Sequence, residues 1–383
     1  MTTSQQPQLA SVPLAQPDIG PEEIAAVTEV LRSDILAMGP YTSAFEAAIA
    51  KQAGREFGIA CSSGTAGLHM VVNALGIGEG DEVLTTPFSF VASANCMLYE
   101  GARPRFVDIE EETLGLDPER IESAIGPRTR ALLPVDVFGH PCRIVELADI
   151  AERRGLKLIE DACEALGSSM RGRPLGSFGD GSVFAFYPNK QITTGEGGMV
   201  VTDDPDLASI MRSLRNQGRD EDGTWLRHVR LGFNYRIDEL SAALGLAQHR
   251  RLGELRRGRD RVVARYAEAL ADLDWLTLPT VRAGASVDWF VYVVQLDLRL
   301  DRDRIVNQLA AVGVPSRPYF SPIHLQPYYR ERFGYAPGDF PVTESVAART
   351  LALPFSSRLD ENSVERVAHA LRAAAAEQYQ VPR

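Results

Sequence analysis

Apolar residues along this chain change their spacing in a regular way. In "EFGIAC", "DEVLTT", "RPRFVDI", "RALLPVDVFG" and "LKLIEDA" they crowd into short runs. Between these runs they recur every three or four positions, as in "AGLHMVVNALG", "SFVASANCMLYEG" and "RIVELADIAERRG". Short apolar runs predict buried strands, and the longer spacing predicts helices with one apolar face. Their alternation predicts an α/β fold with a central, mostly parallel sheet between layers of helices. Two helices are expected before the first strand. "PDIGPEEIAAVTEVLRS" has Asp18 near its cap, Pro21 in its first turn, and Ile24, Val27, Val30 and Leu31 on one face; "SAFEAAIAKQAG" ends at Gly54.

After about Arg250 the pattern changes to a long helix, the apolar run "WFVYVVQLDL", the helix "DRIVNQLAAVG" and a final helix, "ENSVERVAHALRAAAAEQ". This suits a smaller α+β domain, so residues 1–250 are assigned to an N-terminal arm and a large domain and residues 251–383 to a small C-terminal domain. Leu240 to Leu270 would bridge the two. The arginines between Arg250 and Arg265 lie among apolar residues at helical spacing (Leu252, Leu255, Val262, Tyr266, Leu270) and read as the solvated face of that helix.

Composition narrows the class. The chain has 383 residues, 45% of them hydrophobic, and a formal charge of −11, which argues against a nucleic-acid partner. Cys61, Cys96, Cys142 and Cys163 are far apart and belong to no Cys/His cluster, so neither a disulfide framework nor a metal site is expected. No apolar run approaches membrane-spanning length and no signal architecture precedes residue 30, so a cytoplasmic protein without membrane contact is expected. Residues up to about Ala10, rich in Gln, Ser, Thr and Pro, read as a loose tail.

Charge usage then points to one residue. Of 40 basic residues only three are lysine: Lys51, Lys157 and Lys190. A lysine amine can deprotonate and attack a carbonyl, which guanidinium cannot. Lys51 closes a helix, where a cation suits the dipole, and Lys157 starts a strand. Lys190 lies in "FAFYPNKQITTGEGG", after an aromatic-rich stretch and before a glycine-dense turn that lets backbone approach a ligand.

Pyridoxal phosphate (PLP) needs a lysine for its aldehyde, an acid at its ring nitrogen, a phosphate cradle and a wall for its flat ring. Candidates for all four occur. Asp161 ends "LKLIEDA", at the carboxyl edge of a parallel strand, where α/β sheets place ligands. Lys157 cannot serve with it, since four strand residues hold them about 13 Å apart. In "CSSGTAGL", Ser63, Gly64, Thr65 and Ala66 join a strand to a helix start, a junction whose N–H groups suit a dianion. In "TTPFSFVAS", Phe88 or Phe90 could stack on the ring.

The motifs "SSGTAGL", "TTPFSFVAS", "IEDACEALGSSM", "YPNKQITTGEGGMV", "LGFNYRIDELSAALG" and "SPIHLQPYY", in that order from Pro17 to Leu353, resemble the DegT–StrS family of sugar aminotransferases, within the fold-type-I PLP enzymes. The resemblance implies an aspartate-aminotransferase-like fold and a homodimer with active sites at the subunit interface. It matches Lys190 to the lysine that bonds the cofactor, Asp161 to the ring-nitrogen partner, Gly64, Thr65 and Ala66 to the phosphate turn, and Phe90 to the stacking aromatic. Asn234 matches an asparagine that reaches the phosphate of the neighbouring subunit's cofactor, and His324 falls in a region near substrate.

Two positions depart from the family. Glu164 stands where Gln or His commonly touches the ring hydroxyl; a carboxylate there needs a shared proton or must turn elsewhere. Ala185 stands where a phosphate-binding serine is common. The implied activity is transfer of an amino group, from glutamate or another amino acid, to a nucleotide-linked keto sugar. Arg317 and Arg236 are candidates for its diphosphate. The alternatives are a ketocyclitol or aminoshikimate-type substrate, or a non-catalytic member that senses a ligand.

Overall fold

The computed structural model describes residues 11–220 and 226–380; the expected tail up to Ala10 lies outside them. Seven strands build the central sheet: β1 (Phe57–Cys61), β2 (Glu82–Thr85), β3 (Arg103–Phe106), β4 (Thr129–Leu133), β5 (Lys157–Asp161), β6 (Gly181–Ala185) and β7 (Gly198–Thr202). Their spatial order is β1-β7-β6-β5-β4-β2-β3. β7 runs antiparallel to both neighbours, and every other pairing is parallel. The α/β expectation holds, with β7 as the antiparallel exception that returns the chain after Lys190.

Residues of one strand point alternately to opposite faces, and here each face feeds its own core. Ile59, Cys61 and Ile159 join one apolar cluster; Ala60 and Leu158 join another. Among the described residues, the α-helices up to residue 269 are, in chain order, α1 (Pro21–Leu31), α2 (Pro40–Ala53), α3 (Gly64–Ala74), α4 (Ala92–Leu98), α5 (Pro118–Ala124), α6 (Ile144–Arg154), α7 (Pro205–Arg215), α8 (Glu239–Arg250) and α9 (Leu252–Ala269). α3, α4 and α7 cover the first cluster, α2 and α6 the second.

A third cluster gathers Val12 with residues of α9, of the strand Tyr292–Leu296, of the strand Thr350–Leu353 and of the last helix, Glu361–Gln380. Residue 250 ends α8, and α9 begins at Leu252. Along α9, Leu252 and Leu255 join the second cluster, and Val262 is its first residue in the third.

Asp18 lies near the cap of α1 as expected; the cap itself is Gly20, whose N–H is reached by the Glu23 carboxylate (2.7 Å), while Asp18 pairs with Arg251 (3.3 Å). Two local expectations are corrected. The apolar stripe of α1 is only partly buried: Val30 is buried, but Ile24 and Leu31 are 61% and 63% accessible, and Glu23 is buried as well. Nor is α9 solvated along its whole arginine face, because Arg259 is buried. No helix among the described residues is long and apolar enough to cross a membrane.

Candidate active site

Parallel strands deliver their C-terminal ends to one edge of the sheet, and the loops leaving β1, β2, β4, β5 and β6 meet there around a cavity of about 520 Å³. Its size is that of a small-molecule site. Lys190, Asp161, Glu164, Gly64, Thr65 and Phe90 all line it.

Lys190 lies in the connection from β6 to β7. Bonds from the Phe186 N–H to the Gly197 carbonyl (2.9 Å) and from the Thr194 N–H to the Phe186 carbonyl (3.0 Å) pinch this loop at its base. Gly195 takes φ +82°, and a side chain on Gly197 would collide with Thr194, which accounts for the dense glycines. The lysine is not surrounded by apolar groups alone. Its Nζ donates to Glu164 Oε1 at 3.0 Å and sits 4.1 Å from the Phe290 ring centre. Glu164 Oε2 accepts the Phe138 N–H at 2.8 Å. The Glu164 carboxylate thus bridges the Lys190 amine and the Phe138 backbone. Lys51 and Lys157 behave as read, the first exposed in the last turn of α2, the second paired with Asp180 (2.8 Å).

Asp161, at the end of β5, is buried. Its Oδ2 accepts the Ser93 hydroxyl at 2.7 Å and its Oδ1 the Cys163 N–H at 3.2 Å. Ser93 in turn bonds Ser89 (2.7 Å), four residues earlier. Sequence reading passed over this pair, since Ser89 lies ahead of α4 and helical spacing does not relate it to Ser93. Burial and the charge of Asp161 push the Cys163 thiol up, so it stays protonated beside the aspartate.

At the opposite wall Ser63 caps α3, its hydroxyl oxygen accepting the Ala66 N–H at 3.1 Å. Ala66 is therefore not a free donor, whereas Gly64 and Thr65 open into the cavity. Gly64 has to be glycine: a Cβ would lie 2.8 Å from Cys163 Sγ and 2.9 Å from Ala185 Cβ. Phe88 is fully buried, edge-on to Phe138 and Phe320, and is plain core; Phe90 is 61% exposed at the mouth.

The remaining candidates lie outside this cavity. His324 is wholly buried, donates its Nε2–H to Glu344 Oε1 at 3.1 Å, and packs against Phe340. Burial lowers its pKa, which Glu344 partly offsets. Its ring faces an aromatic core, in a segment that turns into a short 3-10 helix, Ile323–Leu325, while the flanking Ile323 and Gln326 line a second pocket with Phe90. Arg236 bonds Asn216 (3.0 Å), and Asn234 is exposed, away from this chain's own cavity. Arg317 is exposed just ahead of Tyr319, which does line the cavity. Burial and the Glu164 carboxylate raise the Tyr319 phenol, against the pull of Arg317. Tyr319, Phe320 and Phe290, all from the C-terminal part, were not anticipated as walls.

Comparison with known proteins agrees with this geometry. The pattern of the DegT/DnrJ/EryC1/StrS aminotransferase family matches residues 17–372. The GDP-perosamine synthase of Caulobacter vibrioides is 40% identical over 368 residues, covering 95% of this chain and 98% of its own. The S. venezuelae protein DesV, solved in complex with a ketimine intermediate, superposes with a TM-score of 0.87 at 34% identity, covering 94% of this chain and 95% of its own. DesI, solved in the presence of its TDP-sugar product, gives 0.89 at 33% identity, over 97% and 94%. The chain belongs to the DegT/DnrJ/EryC1/StrS aminotransferase family.

Proposed function

We propose that this protein is a PLP-dependent aminotransferase that moves an amino group from glutamate to a nucleotide-linked keto sugar. The carrying observation is that Lys190 and Asp161, from two different strand ends, meet in one cavity with the phosphate-turn residues Gly64 and Thr65. The residues present fit the cofactor. An amine, a buried carboxylate fixed by Ser93, and helix-start N–H groups supply what an anionic pyridine aldehyde needs. The lining offers three carboxylates (Asp161, Glu164, Glu196) and, among the described residues, one cation, Lys190. A phosphate is then held by neutral donors: the Gly64 and Thr65 N–H groups and the Ser63 hydroxyl, whose oxygen is already engaged by Ala66 and whose hydrogen remains to be given. Ser63 thus offers the hydroxyl that Ala185 lacks.

When bound, PLP supplies an electron-withdrawing ring that stabilises the carbanion left when the substrate C–H bond breaks. The chain's own groups do the rest. Lys190 would take and give back the proton moved in the reaction. Glu164 holds the lysine amine in place by their 3.0 Å hydrogen bond. Asp161, oriented by Ser93, would hold the ring nitrogen, and Phe90 at the mouth would wall the ring.

The active unit in this reading is a homodimer. Ile24, Leu31, Ile35, Leu36 and Met38, in and just after α1, are exposed apolar residues, and Val229 and Leu231, near Asn234, are exposed too. Association would bury these residues and bring Asn234 to the partner's phosphate. Because the cavity wall is acidic, the sugar's diphosphate needs arginines from outside it, such as Arg317 or Arg236. The work is assigned to the cytoplasm, in keeping with four free cysteines.

The test is to incubate the protein with PLP, glutamate and a panel of nucleotide-linked keto sugars and to look for amino sugar by mass. Product with one sugar fixes substrate and direction. No product from any sugar, with a ketocyclitol turned over instead, would transfer the reading to that substrate.

A further inference from the structure

Arg259 belongs to α9, on the small domain's side of the molecule, yet its guanidinium ends directly behind the lysine loop. Its Nη1 donates to the Gln191 carbonyl at 2.9 Å, and its Nε and Nη2 both donate to Asp288 Oδ1, at 3.2 and 2.7 Å. Both partners are buried. The Gln191 side chain closes the circuit, donating to the Asp288 carbonyl at 2.8 Å and to the Glu164 carbonyl at 2.5 Å. Two residues beyond Asp288, Phe290 places its ring under the Lys190 amine.

The network thus holds main-chain atoms on both sides of the Glu164–Lys190 pair. The Gln191 carbonyl belongs to the residue after the lysine. The Glu164 carbonyl belongs to the residue that receives its amine. Neither contact is with the cavity, since Arg259, Asp288 and Gln191 do not line it. We infer that Arg259 is a positioning residue for Lys190: it locks the register of the lysine loop against Glu164 and ties that register to the small domain. The inference rests on Lys190 being the reacting lysine in the function proposed above.

A fork that reaches a carboxylate and a carbonyl together is what arginine offers and lysine cannot. A displacement of about 1 Å at a reacting group costs on the order of 100-fold in rate. Removing Arg259 alone would strand the Asp288 charge in the interior and threaten folding. Two variants avoid this: R259K keeps the charge and loses the fork, and R259M/D288N removes the ion pair as a unit.

The experiment is a single-turnover reaction of the PLP-loaded protein with glutamate and with α-deuterated glutamate, beside the rate at which apo-protein acquires the cofactor's visible band. In R259K and in R259M/D288N we expect the half-reaction to slow by about tenfold or more, with half-saturation by glutamate within about twofold of wild type. The deuterium effect should rise, because transfer through a misplaced amine becomes the slow step, and the band should appear more slowly. Folded variants with unchanged half-reaction, isotope effect and band kinetics would overturn the inference and leave the function standing. A wild-type protein that forms no band on adding PLP would remove both.

Discussion

Lys190 Nζ lies 3.0 Å from Glu164 Oε1, and the other oxygen of that carboxylate is held by the Phe138 N–H at 2.8 Å. Glu164 is thus doubly committed, to a reactive amine and to a backbone donor with φ of +59°. Glu164→Gln keeps an acceptor for the backbone and removes the charge beside the lysine. It should leave stability within about 1 kcal/mol of wild type and slow turnover by about tenfold. Glu164→Ala also leaves the buried N–H without a partner, and should cost about 1–3 kcal/mol in denaturant unfolding.

The Ser93 hydroxyl donates to Asp161 Oδ2 at 2.7 Å and is itself held by Ser89 at 2.7 Å. Hydrogen bonds to charged groups contribute about 1.5–3 kcal/mol. Ser93→Ala should therefore weaken PLP binding by about tenfold, read by titration of the visible band. An unchanged dissociation constant would show that Asp161 needs no second partner.

Gly64→Ala tests the phosphate turn sterically. The new methyl would meet Cys163 Sγ at 2.8 Å and Ala185 Cβ at 2.9 Å, an overpacking that costs about 1–3 kcal/mol. Adding Ala185→Gly opens one side of the clash. The double variant should recover part of the lost stability and of the lost PLP affinity.

A pH dependence follows from two acids beneath the sheet edge. Burial pushes the Asp136 carboxyl well up, reinforced by the Glu160 charge, and burial raises Glu160 too. The folded protein therefore holds a proton there that the unfolded chain has released above about pH 4. With more protons bound in the folded state, stability falls as pH rises from that point through the raised value. Asp136→Asn keeps the acceptor for the Cys142 N–H (2.9 Å) and removes the titration. Its melting temperature should fall less steeply with pH than that of wild type over this window.

What sequence could deliver depended on the kind of signal. Strands such as Phe57–Cys61 and Lys157–Asp161 are buried on both faces, so their apolar runs were plain, and Asp161 at the end of one was legible from its place alone. The Lys190 loop was legible because lysine is so rare here. Long-range partners were not: nothing near Lys190 announces Phe290 or Tyr319, which lie a hundred residues or more along the chain. Arg259 shows the same limit from the other side. Helical periodicity places it beside solvated arginines, and only the Asp288 carboxylate it meets makes it an interior residue. The direction of the His324 ring was not legible either, since one imidazole in a loop says nothing of which way it turns.

The most direct test of the whole account uses the scarcity of lysine. PLP is added to the protein, the mixture is reduced with borohydride so that any carbon–nitrogen double bond becomes a stable link, and the digested protein is read by mass spectrometry. The account predicts one pyridoxyl adduct, on the peptide carrying Lys190, absent from Lys190→Ala and abolished by glutamate added before reduction. An adduct on Lys51 or Lys157, or none on Lys190, would contradict it.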